Sequence, residues 1–285
     1  MIIWLASYPK SGNTLVRSML SAYFFSSDGK FYFDLLKNIK QFPDLKLFKN
    51  LKVDINDKIE VIKNYINVQE KINQTDGNTL RFIKTHAALN NINGYQFTNL
   101  KNSLGVIYIV RDPRKVVVSY ANHTQMNLEH SLKEMSKISV WGGKINYQDK
   151  IQDTLDTHAG SWVSNYNSWK EFKKYDKYLL VKYEDLISDP EKTFLLILNF
   201  IHKISKAKLI LDDLKLKNVF KTTSFEYLQK LENESNFFEA PKTSDKKYIK
   251  FFKYGKKNTG KDISINIKNE IEKGFASEMK ELGYL

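Results

Sequence analysis

Four short apolar runs stand out from a chain otherwise rich in lysine and asparagine: Ile2–Tyr8, Leu80–Lys84, Gly105–Val110 and Tyr178–Tyr183. They are mostly continuous in apolar residues, the pattern of strands buried on both faces of a sheet. Between them the apolar spacing turns helical. Asn13–Phe25 follows the first run. Pro113–Asn127 follows the third, with Asp112 placed as N-cap and Pro113 at the first helical position. After the fourth, Ser188-Asp189-Pro190-Glu191 opens an apolar-rich helix ending near His202, and Ser188 and Glu191 have capping-box spacing. Ile263–Leu282 reads as one terminal helix. Strands alternating with helices predict an α/β fold: a central, mainly parallel sheet flanked by helices, three layers in all. The stretches 28–78 and 124–160 are polar, lysine-rich or irregular. They read as insertions over the sheet edge, within a single domain spanning 1–285. Phe31, Tyr32, Phe33 and Phe48 are expected as core or lid packing ahead of an aromatic pocket.

Composition narrows the chemistry. The chain has 285 residues and no cysteine, so disulfide scaffolds, Cys-zinc sites and thiol catalysis are excluded. No HExxH or similar ligand spacing occurs, and no metal is expected. The 45 basic against 32 acidic residues leave a net charge of +13. That favours anionic partners, although biased residue usage accounts for it equally well. The run Ile2–Ala6 is too short for a signal segment, and no stretch is long and apolar enough to span a bilayer. The expectation is a cytoplasmic protein.

Three strand exits carry candidate chemistry. Tyr8-Pro9-Lys10-Ser11-Gly12-Asn13-Thr14 lies between a strand and a helix, where unpaired amides and the helix dipole favour an anion. Gly12 permits close backbone approach, Ser11, Asn13 and Thr14 add donors, Lys10 adds a charge, and Arg17 stands ready to add another. A Walker A loop needs a glycine directly before the lysine; Pro9 stands there instead. Val110-Arg111-Asp112-Pro113-Arg114 ends the third strand. Arg111 with Ser119 can hold a second phosphate, or Arg111 can simply pair with Asp112. Phe82-Ile83-Lys84-Thr85-His86 ends the second strand and places Lys84 and His86 on one face. A neutral imidazole there can take a proton near neutral pH, and Lys84 can stabilise developing charge. His123, His130, His158 and His202 show no comparable context.

Together these segments resemble the sulfotransferases that use 3′-phosphoadenosine 5′-phosphosulfate (PAPS) and release the bisphosphate product PAP. Tyr8–Thr14 is similar to the family's 5′-phosphosulfate loop, Lys84-Thr85-His86 to its catalytic-histidine strand, and Arg111–Tyr120 to its 3′-phosphate element. Gly160-Ser161-Trp162 with Trp169, Tyr183-Glu184-Asp185-Leu186 and Thr223-Ser224-Phe225 come after them in the family's order. The resemblance implies a P-loop-like fold and a sulfuryl transfer from PAPS to an acceptor hydroxyl or amine. It implies that Lys10, Ser11, Gly12, Asn13 and Thr14 hold the 5′-phosphosulfate, and that Arg111 and Ser119 hold the 3′-phosphate. Tyr183, Thr223 and Phe225 would line the adenine pocket. His86 would be the general base, with Lys84 and Lys10 serving the transfer.

The sequence departs from the family in places. Leu15 replaces a tryptophan that stacks on adenine. The late Arg-Lys-Gly element appears as Lys253-Tyr254-Gly255, so Lys253 and Gly255 are its candidate cofactor contacts. The family's Gly-Asp-Trp pattern beyond it is only echoed by Gly260-Lys261-Asp262. A dimer motif survives only as Lys261 and Glu270, so no dimer is inferred. The partners expected are PAPS and an unidentified acceptor; nucleic acid is not expected. Two rival readings are a P-loop nucleotide kinase and a non-catalytic binder of nucleic acid or acidic glycan.

Overall fold

The computed structural model describes residues 1–285 apart from 49–50, 75–79, 148–149, 208–210, 244 and 254–262, with backbone alone between 142 and 154. The four apolar runs form one parallel sheet in the order Arg81–Thr85, Ile2–Ser7, Ser103–Val110, Tyr178–Lys182. Leu5 lies opposite Lys84 on one side and Ile107 on the other, and Ile109 lies opposite Val181.

Strand period sorts the side chains into two cores. Ile2, Trp4, Ala6, Val106, Tyr108 and Val110 face one layer, packed by Trp162, Tyr166 and Trp169 and by Val116 and Val117. Ile3, Leu5, Ile107, Ile109 and Val181 face the other, packed by Val16, Met19 and Leu20 and by Phe194, Ile197 and Ile201. Each buried aliphatic side chain contributes about 1.5–3 kcal/mol over an exposed one, which explains why the runs must be apolar on both faces. The one polar atom of Trp4 is satisfied, Nε1 donating to Ser103 Oγ at 2.8 Å. The expected α/β architecture with a parallel sheet between helical layers is therefore present.

The helix Asn13–Phe25 contributes to one face and Pro113–Thr124 to the other. The chain thus leaves the first strand toward one edge and the third toward the opposite edge. Their carboxyl ends flank a topological switch point, where open α/β sheets bind ligands.

Some local expectations change. Ser188 ends a short helix, Tyr183–Ser188, and Asp189 caps the next, Pro190–Ser205, accepting from the Lys192 amide at 3.0 Å. The Ser188–Glu191 capping box does not form, because Ser188 is already inside a helix. The terminal helix is two, Ile265–Gly274 and Ala276–Glu281, broken at Phe275. Phe275 is buried and stacks on Trp162 at 5.3 Å, a tertiary demand invisible in helical spacing.

Stretch 28–78 folds as a 3₁₀ turn at Phe33–Asn38 and helices at Leu45–Phe48, Lys58–Lys63 and Tyr65–Gln74. Phe31, Phe33 and Phe48 are buried in the cores as expected, whereas Tyr32 is 53% exposed and belongs to neither core. Stretch 124–160 holds the helix Leu128–Ser136 and an antiparallel hairpin, Ser139–Tyr147 with Lys150–Gly160. The hairpin's polar, glycine-containing sequence gives no strand alternation to detect. Among the described residues no helix is long and apolar enough to cross a membrane.

Candidate active site

The carboxyl ends of all four sheet strands open on one cavity of about 1680 Å³. It exceeds the roughly 300–1,000 Å³ of a typical single-ligand pocket. Lys10, Gly12, Asn13, Thr14, Lys84, His86, Arg111, Ser119, Tyr183, Thr223, Phe225 and Lys253 all line it. Residues far apart in sequence therefore share one wall system, as parallel strands in register require.

The first strand exit is shaped by backbone. Lys10 has φ 66° and Gly12 φ 103°, both left-handed, and Gly12 occupies the N-cap position without a side-chain cap. A Cβ at Gly12 would lie 2.3 Å from Tyr183 Cδ2, so glycine answers both a backbone and a packing demand. The first turn of Asn13–Phe25 carries no acid, whereas Asp112, Asn127 and Ser161 cap the helices at Pro113, Leu128 and Trp162. An uncapped N-terminus inside a cavity is an anion site.

The loop side chains divide their work. Asn13 Nδ2 donates to Leu5 O at 2.9 Å and Ser7 Oγ at 3.2 Å, so its amide pins the loop to the strand. Ser11 Oγ is buried with no partner. Lys10 Nζ lies 3.7 Å from the Phe251 ring centroid and 3.4 Å from His123 Nδ1. Burial, and then the charges of Lys84 and Arg111, pull the Lys10 ammonium down to about 7.

At the third exit, Asp112 binds Arg114, not Arg111. Arg114 Nε and Nη2 both reach the Asp112 carboxylate, at 2.8–3.1 Å. Arg111 lies over the Tyr183 ring at 4.2 Å and donates from Nη1 to Lys10 O at 3.4 Å. Its Nε is buried without a partner. Among the described residues no carboxylate pairs with Arg111, which removes the reading of it as a simple Asp112 partner. Ser11 Oγ and Arg111 Nε are thus unpartnered donors at two neighbouring strand exits, Arg111 in the cavity lining and Ser11 buried in the loop behind it. A ligand bearing phosphates at both ends supplies acceptors for each, so the residues fit a nucleoside bisphosphate.

At the second exit, His86 Nδ1 lies 2.9 Å from Ser7 O. A carbonyl only accepts, so Nδ1 carries the hydrogen and Nε2 keeps its lone pair. Asn165 Nδ2 fixes the same segment, donating to His86 O at 3.0 Å. Burial, then the nearby Lys84 charge, lowers the imidazole to about 3, and it is neutral at physiological pH. Lys84 is buried beside it, and burial likewise lowers its ammonium.

Further along the cavity, Thr223 lines the wall while its Oγ1 donates to Val219 O at 2.8 Å. Phe225 packs edge-on against Phe252 at 6.4 Å, and Leu15 joins the same wall. Lys253 Nζ donates to Asn122 Oδ1 at 3.0 Å, at the cavity rim. Gly255 lies outside the described residues, as do Gly260, Lys261 and Asp262.

Four site features were not legible in sequence. Arg17 lines the cavity with both its terminal nitrogens taken up by Glu239, Leu36 O and Ile39 O and its Nε buried without a partner. Glu239 has no motif to announce it. Phe251 covers Lys10. His123, without context in the sequence, lines the cavity, and its position four residues after Ser119 on one helix face was the available signal. Burial, then the Lys10 charge, lowers it to about 3.

Residues 2–283 match the sulfotransferase domain family, and the chain belongs to it. The 3-alpha-hydroxysteroid sulfotransferase of Cavia porcellus is 31% identical over 140 residues, which are 48% of this chain and 42% of that protein. The flavonol 3-sulfotransferase of Flaveria bidentis is 25% identical over 264 residues, 89% of this chain and 73% of its own length. The chain spans less than half the length of the first of these relatives. In fold, a crystal structure of retinol dehydratase in a complex with retinol and PAP superimposes with a TM-score of 0.60 at 16% identity, covering 98% of this chain and 81% of that one.

Proposed function

We propose that the chain is a PAPS-dependent sulfotransferase acting on an acceptor hydroxyl or amine. The observation that carries this reading is the convergence of Lys10, Lys84, His86 and Arg111 at neighbouring strand ends around one cavity. PAPS supplies the sulfuryl group that passes to the acceptor, and PAP is the product. Lys10, the Gly12–Thr14 backbone and Ser11 hold the 5′ end. Arg111 holds the 3′-phosphate, its guanidinium plane supported by Tyr183, with Ser119 alongside and Lys253 and Gly255 as further contacts. Tyr183, Thr223 and Phe225 line the adenine pocket.

His86 Nε2 takes the proton from the acceptor, with its tautomer set by Ser7 O. An imidazole held at about 3 is a weak base; anionic charge bound between Lys10 and Arg111 raises it toward the working range. Lys84 and Lys10 stabilise negative charge that develops between them. Gln41, Asp44, Leu47, Trp141, Leu155 and Thr157 line the same cavity, and form the acceptor side.

The test is a screen of phenol, steroid alcohol, amine and glycan acceptors with labelled PAPS, together with calorimetry of PAP. We expect a sulfated product and PAP binding by the unmodified chain. His86→Ala should bind PAP normally and lose about 10²–10⁴-fold in turnover, the range of general-base catalysis. Near-normal turnover in that variant rejects the base; salt-sensitive binding of RNA or heparin without PAP binding supports the non-catalytic alternative.

A further inference from the structure

Glu239 places a carboxylate in the cavity beside Lys84, close to the strand ends that carry Lys10, His86 and Arg111. Its side chain is 25% exposed, and it is clasped by Arg17, itself 3% exposed. Arg17 Nη1 reaches Oε2 and Nη2 reaches Oε1, each at 2.9 Å, the fork geometry of a bidentate pair. Arg17 Nη2 also binds Leu36 O and Ile39 O at 3.3 Å. The guanidinium is therefore fixed to the helix after the phosphate loop and to the segment across the cavity, and it holds the carboxylate still. Glu239 Oε2 then faces Lys84 Nζ at 3.6 Å.

The surroundings of Lys84 are otherwise hostile to a charge. Arg17 stands on the Glu239 side, while Lys10, His86 and His123 share the field around it. Among the described residues Glu239 is the one carboxylate paired with Lys84. Burial pushes the Glu239 carboxyl up, but Lys84 and Arg17 outweigh it and hold it down at about 2. The carboxylate is ionised throughout the working range. Its charge is largely offset by Arg17, so it repels a nucleotide little, yet one oxygen remains turned toward the lysine.

We propose that Glu239 is a positioning residue: clasped by Arg17, it keeps the Lys84 side chain an ammonium ion and directs it into the space beside His86. The role in transfer rests on the sulfotransferase reading above; the pairing itself does not. An alternative is that Glu239 only pins residues 237–240 to the first helix, in which case Lys84 is indifferent to its charge.

The deciding experiment reads Lys84 directly. The protein, without nucleotide, is labelled with 13C-lysine, and the Lys84 resonance is assigned by its loss in Lys84→Arg. Its titration is then followed by NMR. Glu239→Gln keeps the shape and removes the charge. We expect the Lys84 midpoint to fall by about one pH unit or more, the size of an opposite charge at this range. Glu239→Asp, which keeps the charge, should stay nearer the unmodified protein. An unmoved midpoint in Glu239→Gln overturns the proposal. If that variant does not fold, Glu239→Ala carries the same comparison: a lowered Lys84 midpoint supports the pairing and an unmoved one overturns it.

A second readout uses any acceptor found by the screen. Glu239→Gln should lose at least about tenfold in kcat with little change in KM for PAPS, and the alkaline limb of kcat should move to lower pH. Adding Lys84→Arg, whose charge does not titrate, should abolish that shift. A uniform loss with an unshifted limb marks a merely structural role. If the unmodified chain binds no PAP, the sulfotransferase reading fails while the Lys84 titration still decides the pairing.

Discussion

The first and third strand exits both open a helix onto the cavity, and they present positive charge to it by opposite means. At the first, no side chain caps the helix and its opening turn has no acid, so the backbone amides of Asn13 and Thr14 face the cavity. At the third, Asp112 caps the helix and accepts the Arg114 amide at 3.0 Å, so that dipole is already answered. Charge there comes from Arg111, left free because Arg114 occupies the Asp112 carboxylate. One exit offers amides and a titrating lysine, the other a permanent guanidinium. The contrast suits a ligand with two phosphates. In the proposed sulfuryl transfer, the 5′ end must tolerate changing charge, whereas the 3′ end needs only a fixed grip.

This contrast can be broken at either end. The largest effect is expected from Lys10→Ala, which removes the only side-chain ammonium of the first exit's loop. PAP affinity should fall at least tenfold by calorimetry, about 1.5–3 kcal/mol for a hydrogen bond to a charged group, and turnover should fall with it. Unchanged PAP binding would remove the loop from the site. Next comes Arg111→Lys, which keeps charge but loses the fork. Here affinity should drop by roughly 1–2 kcal/mol, with kcat at saturating PAPS nearly preserved; an equal loss in kcat would contradict a purely binding role.

Gly12→Ala should cost about 1–3 kcal/mol of stability, seen as a lowered Tm, from its positive φ and the clash with Tyr183. A melt identical to the unmodified protein would mean that the loop has an alternative path. The smallest effect is in pH. Lys10 titrates at about 7 in the empty site, and a bound polyanion raises that value. Binding of PAP should then take up protons at and above pH 7, and affinity should decline as pH rises from about 7 to 9. Calorimetry in buffers of different ionisation enthalpy checks the uptake, which should vanish in Lys10→Ala and persist in Arg111→Lys.

Much of the framework is legible in the sequence alone. The limits of Asn13–Phe25 coincide with the observed helix, and each of the four strands lies within two residues of its apolar run at either end. These are local statements about periodicity, proline and caps. The hairpin 139–160 escapes such reading because its sequence lacks alternation, and the terminal helix reads too long because Phe275 answers to Trp162, more than 100 residues away.

The chain's own order of residues settled which side chains leave each strand end: Lys10, His86, Arg111 and Tyr183 follow directly from where apolar runs stop. It did not settle how they pair. Arg17 looked like a phosphate ligand and clasps Glu239, 222 positions later; Arg111 looked pairable with its neighbour and instead lies over Tyr183 and donates to Lys10 O. Secondary structure is decided by neighbours within a few residues. Ion pairing and burial are decided by whatever the packed layers bring alongside, and only the folded sheet places these charges within reach of one another.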